Sequence, residues 1–136
     1  MWPQVKLFLL ALVLVPVFDY LWLGRVMQGF YLREMQDVVR LTDGRLDVQY
    51  GPALAVYVFL ALGVVCFVLP SAADGLQALL RGGFLGLIIY GVYDMTNMAT
   101  LRGYGLKLSL VDMAWGTVLC GSVSALLFVL RAKEIL

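Results

Sequence analysis

Three carboxylates interrupt otherwise apolar stretches of this chain: Asp19, Asp94 and Asp112. An ionisable side chain at membrane depth is costly, and it is found mostly where it binds an ion, relays a proton or holds a ligand. Two of the three open the same pattern, Asp19-Tyr-Leu-Trp22 and Asp112-Met-Ala-Trp115, and the third opens a variant, Asp94-Met-Thr-Asn97. On a helix the residue three positions on shares the acid's face. An indole N–H or a carboxamide placed there can donate to the carboxylate. Around Asp94 the polar face is longer, with Tyr90, Asp94 and Asn97 at i, i+4 and i+7 and with Tyr93 and Thr96 beside them. Such oxygen donors suit a proton or a small cationic ligand. If they hold a metal, a hard divalent ion such as Mg²⁺ or Ca²⁺ fits best, with Asp19, Asp94 and Asp112 as its ligands. The chain has no histidine, which removes His-ligated zinc, His-bound haem and a Ser–His–Asp triad.

The elements that position these acids follow from composition. Of 136 residues, 62% are hydrophobic and 14% charged, against about 45–50% and about 25% in soluble domains. The mean hydropathy is +0.92. A soluble domain this small buries only roughly 60–70% of its chain surface and could not hide so much apolar area. The chain therefore reads as an integral membrane protein, all-α, a single domain over 1–136. Four apolar segments, about 3–24, 50–70, 77–101 and 108–130, each approach the ~20 residues that cross a bilayer as a helix. The N-terminus has a single Lys6 and no small-residue cleavage motif, so the first segment reads as a retained span. Cys66 and Cys120 sit in apolar runs without a CxxC partner and read as packing residues. A net charge of +1 gives no electrostatic case for nucleic acid.

Helix alternation brings the acids together. Asp19 and Asp94 lie near the ends of the first and third spans, and Asp112 lies near the start of the fourth. All three therefore fall at one face of the membrane, roughly 6–10 Å inside it. Tyr20, Trp22, Tyr90, Tyr93, Thr96, Asn97 and Trp115 are the residues placed to line a site with them. The plainer role for the acids is capping, or pairing with Arg25, Arg102 or Lys107.

Between the first two spans, Met27, Phe30, Tyr31, Met35, Val38 and Val39 recur at helical spacing, with charges between them. The pattern predicts an amphipathic interfacial helix, either lying in the membrane surface or packed over the bundle end. Thr42-Asp43-Gly44 predicts its end and a turn. Gly82-x-x-x-Gly86 and Gly121-x-x-x-Ala125 allow close helix approach, chiefly within the bundle. The loop side carries six Lys and Arg and the terminal side four, which leans towards loops in the cytoplasm and termini outside.

The stretch Ile-Ile-Tyr-Gly-Val-Tyr-Asp-Met-Thr-Asn-Met-Ala-Thr-Leu (88–101), with Val-Asp-Met-Ala-Trp-Gly (111–116), resembles a bacterial family of predicted membrane proteins catalogued as a domain of unknown function. The likeness spans essentially the whole chain, and Asp19-x-x-Trp22 fits it too. It implies four spans, a bacterial inner-membrane location, and Tyr93, Asp94, Thr96, Asn97, Asp112, Trp115 and Gly116 as pattern positions. It implies no activity.

Three functions fit these residues. The leading one is binding or transport of a cation or small polar, cationic ligand, with transport requiring a homo-oligomer in so short a chain. A membrane enzyme acting on lipid head groups or acyl chains would use a carboxylate as general base or metal ligand. An accessory subunit would use the polar residues to hold helices or a partner together.

Overall fold

The computed structural model describes residues 2–133. Helix α1 runs Trp2–Leu21 and ends in a π-helical turn, Trp22–Val26. A short helix α2 (Gln28–Glu34) follows, then a hairpin of β1 (Leu41–Thr42) and β2 (Arg45–Leu46). Helix α3 (Tyr50–Gly63) also ends in a π-helical turn, Val64–Val68. Helices α4 (Gly75–Thr100) and α5 (Leu106–Ala132) follow. Among the described residues four helical stretches are long and apolar enough to span: Trp2–Val26, Tyr50–Val68, Gly75–Thr100 and Leu106–Ala132. Their outer faces carry exposed Leu9, Val13, Phe59, Phe67, Phe84 and Val118, as suits helices surrounded by lipid. The fold is thus a four-span helical bundle.

Each acid terminates a buried stripe of four-residue spacing. On α1 the stripe is Leu7, Ala11, Val15, Asp19. On α4 it is Ala78, Gly82, Gly86 and, two turns on, Asp94. On α5 it is Asp112, Gly116, Cys120, Ser124. Side chains four apart share a helix face, so the packing that buries the apolar members also turns each carboxyl inward. The core between them is built from Leu7, Ala11, Val15, Leu60, Val64, Leu119, Val123 and Leu127.

Helices α4 and α5 make the most extensive pairing in the bundle, and small residues permit it. A Cβ on Gly86 would collide with the Gly116 carbonyl, and one on Gly116 with the Tyr90 ring. The glycines of both small-residue motifs are therefore used inside the bundle, where Gly82 meets α5 and Gly121 meets α4. This antiparallel seam sets Asp94 level with Asp112. At its N-terminus α4 is capped by Asp74, whose Oδ1 accepts from Gln77 N at 2.8 Å, satisfying one of the free amides of the first turn.

The loop between the first two spans differs from the amphipathic helix expected through Val39. Only Gln28–Glu34 is α-helical, and turns follow to residue 39. Asp43 and Gly44 take φ of 51° and 73°. Two successive positive φ values favour an Asp-Gly turn with the twist of a tight hairpin, and they pair Leu41 with Leu46. Helix α2 packs over the bundle end. Tyr31 bonds Asp112 of α5, and Glu34 pairs with Lys107 at 3.8 Å.

Candidate functional site

The acids sit at the loop end of the bundle, about 9–10 Å in from the nearest span end at 1.5 Å per residue. They are inaccessible or nearly so: Asp94 is 0% exposed, and Asp19 and Asp112 are 8% exposed. Each is held by a phenol. Tyr57 of α3 donates to Asp19 Oδ2 at 3.0 Å. Tyr31 of α2 donates to Asp112 Oδ1 at 2.6 Å. Tyr104, from the loop between α4 and α5, donates to Asp94 Oδ1 at 2.6 Å. Arg25, Arg102 and Lys107 make no ion pair with these acids among the described residues, whose ion pairs join Glu34 to Arg33 and Lys107.

The two tryptophans exchange partners. Trp115 Nε1 donates to Asp19 Oδ1 at 3.0 Å, across 96 residues, and not to Asp112 of its own motif. Trp22 Nε1 donates to the Tyr31 hydroxyl at 3.2 Å, and that hydroxyl donates to Asp112. Each Asp-x-x-Trp motif therefore serves the acid of the other. Burial and then the bonded carboxylate push the Tyr31 phenol above its ordinary range. The same two causes raise Tyr104. Both phenols remain protonated donors at neutral pH.

Asp94 Oδ2 is different. It is buried, and no donor among the described residues reaches it. The Asp112 carboxyl lies alongside, but as a second acceptor it satisfies Asp94 only if the pair shares a proton or a cation. A buried carboxylate oxygen without a donor carries a large desolvation penalty.

Two adjoining cavities open at these groups. One, of about 360 Å³, is lined by Asp19, Asp112, Tyr31, Tyr90, Tyr93 and Tyr104, with Leu23, Met35, Val56 and Ile89 as its apolar part. The other, of about 500 Å³, lies under α2 and the hairpin and shares Asp19, Leu23, Tyr31 and Met35 with the first. No Lys or Arg is among the lining residues of either.

Of the residues expected from sequence, Asp19, Asp112, Tyr90 and Tyr93 line a cavity, and Tyr20 lines the larger one. Asp94 lies behind Asp112. Trp22 and Trp115 bond the network from its edge, and Asn97 neighbours Tyr93 and Tyr104. Thr96 is exposed and lines neither cavity: two positions beyond Asp94 it faces away from the seam. Among the described residues no group of three Asp, Glu or Cys could hold a metal ion; Asp19 is bonded to Tyr57 and Trp115, and Asp112 to Tyr31. Tyr31, Tyr57 and Tyr104 are site residues that sequence reasoning missed. The available signals were a hydroxyl in the interior of the otherwise apolar second span for Tyr57 and flanking glycines for Tyr104.

Fold and site together define an integral membrane protein with a buried acidic, phenol-lined centre at one end of a four-span bundle. The chain belongs to the DUF2177 predicted membrane protein family, whose model matches residues 4–129. No curated protein and no solved structure matches it.

Proposed function

We propose that the acidic centre binds a cationic ligand and that the protein captures or carries it within the membrane. The observation that carries this reading is the fully buried Asp94 Oδ2, which lacks any donor beside a second carboxyl. Asp112, the carboxyl beside it, does line the cavity, so a cationic N–H group bound there would neutralise the pair and let one carboxyl keep the shared proton for Asp94. The charge of the cavities supports the same reading, since carboxylates and phenols line them and no basic side chain competes. The ligand is an organic cation in preference to a metal, because the carboxylates are not grouped as metal ligands while aromatic rings surround the space.

Native mass spectrometry of protein taken from its own membrane, beside Asp94→Asn, tests this. A retained cationic molecule that is missing from the variant is the expected result. Identical, empty spectra from both, with Asp94→Asn less stable than the parent, would overturn it and leave the polar residues a purely structural role.

A further inference from the structure

The walls of the acidic cavity point to the ligand's class. Resting on the cationic-ligand reading, we infer that the site takes an amphiphilic alkylammonium, entering sideways from the bilayer between the second and third spans. The second span meets α4 mainly through its last turn, Val64–Val68, and Gly63 faces Leu85 and Ile89 there. Towards the loop end the two spans diverge. The 360 Å³ cavity occupies that divergence, reaching from Val56 on α3 to Ile89 and Tyr93 on α4. Val56 is 51% exposed and Tyr93 53% exposed, so the mouth lies on the surface that faces lipid. Val56 is six residues into its span, about 9 Å deep, where the neighbouring medium is hydrocarbon.

The cavity wall is part polar and part apolar. Asp19 and Asp112 are nearly inaccessible and, with Tyr31 and Tyr104, form the polar part, whereas Val56 is exposed at the mouth and, with Ile89, Leu23 and Met35, forms the apolar part. A small hydrated cation would leave the apolar wall unmatched. A headgroup phosphate would meet carboxylates and no basic partner. An ammonium head on an alkyl chain matches both parts, with the head at the carboxylates and tyrosine faces and the chain along the apolar wall. The second lobe, under α2, continues from Asp19, Leu23, Tyr31 and Met35. The joined volume is within the roughly 300–1,000 Å³ of sites for molecules of this size.

The test uses the full chain with Trp2→Phe, so that emission comes from Trp22 and Trp115 at the site. In neutral maltoside micelles it is titrated with dodecylammonium, ethylammonium and dodecyl sulfate, compared at equal mole fraction in the micelle. Dodecylammonium should change the emission saturably and ethylammonium only weakly. Dodecyl sulfate should leave it unchanged. Asp112→Asn should weaken dodecylammonium about tenfold or more. Val56→Phe, at the exposed rim and away from the carboxylates, should weaken the long chain and spare the short one. Equal binding of the two ammonium ions, still lost in Asp112→Asn, would overturn the amphiphile and the lateral entry and leave the cationic-ligand reading intact. Equal binding of dodecyl sulfate, or no effect of Val56→Phe, would overturn them as well. No response to either ammonium ion would overturn both readings.

Discussion

The rings of Trp22 and Trp115 stack with centroids 4.7 Å apart and planes 5° from parallel. The stack couples two spans that are far apart in sequence, and each indole N–H leads to the acid of the opposite helix. Two indoles this close should couple their transitions and give a paired near-ultraviolet circular dichroism signal. Trp22→Phe and Trp115→Phe should each abolish that signal, and Trp2→Phe should leave it. Trp115→Phe also deprives Asp19 of a donor, so it should lower stability by about 1–3 kcal/mol, measured by thermal unfolding in detergent.

The α4–α5 seam makes a steric prediction. Gly86→Ala places a methyl into the Gly116 backbone, and Gly116→Ala places one into the Tyr90 ring. Neither obstacle is a flexible side-chain end with room to move. Each substitution should destabilise the bundle by about 1–3 kcal/mol or more. Gly51→Ala, whose added Cβ meets nothing within 4 Å, should be near neutral. Melting temperature and folded yield distinguish them.

How much of this was visible in the sequence depends on which question is asked of a residue. Chain direction alone put Asp19, Asp94 and Asp112 at one face, since helices in a bundle alternate. The Asp-x-x-Trp spacing singled out Trp22 and Trp115 as donors. The partner of each donor was not legible, because it depends on how α1 and α2 pack against α5, which carries the Trp115 indole to Asp19 and the Tyr31 hydroxyl to Asp112. Tyr31 was read as one of the apolar positions of an amphipathic helix, yet its hydroxyl is the bond that ties α2 to Asp112. Helical periodicity also ran past Glu34, where the Asp43-Gly44 turn and its short strands take over.

The phenols give a pH prediction whose sign is fixed. Tyr31 and Tyr104 are pushed above the ordinary phenol range in the folded state, whereas unfolded tyrosine ionises near about pH 10. Their contribution to stability is thus complete below that pH and is lost as pH rises through the folded values, because the unfolded chain releases protons that the folded one keeps. Stability should fall as pH climbs above about 10. Tyr31→Phe should make that decline shallower, and phenolate absorbance should show fewer titrating tyrosines in folded than in unfolded protein. A Tyr31→Phe variant with the parent's full alkaline slope would contradict this.

Asp94 supplies the sharpest contrast between a binding centre and a structural one. Its Oδ1 takes the Tyr104 hydroxyl, while its buried Oδ2 has no donor among the described residues. In Asp94→Asn the carboxamide can keep Tyr104 on its oxygen and turn its N–H towards Asp112, replacing two facing acceptors with a donor–acceptor pair. The variant should therefore melt at or above the parent, by about 1 kcal/mol. Asp94→Ala, which strands the Tyr104 hydroxyl and leaves a small void, should melt below it. If Asn destabilised as much as Ala, the carboxylate itself would be holding the helices together. If Asn stabilises while ligand is lost, the parent is retaining an unfavourable group for the sake of what it binds.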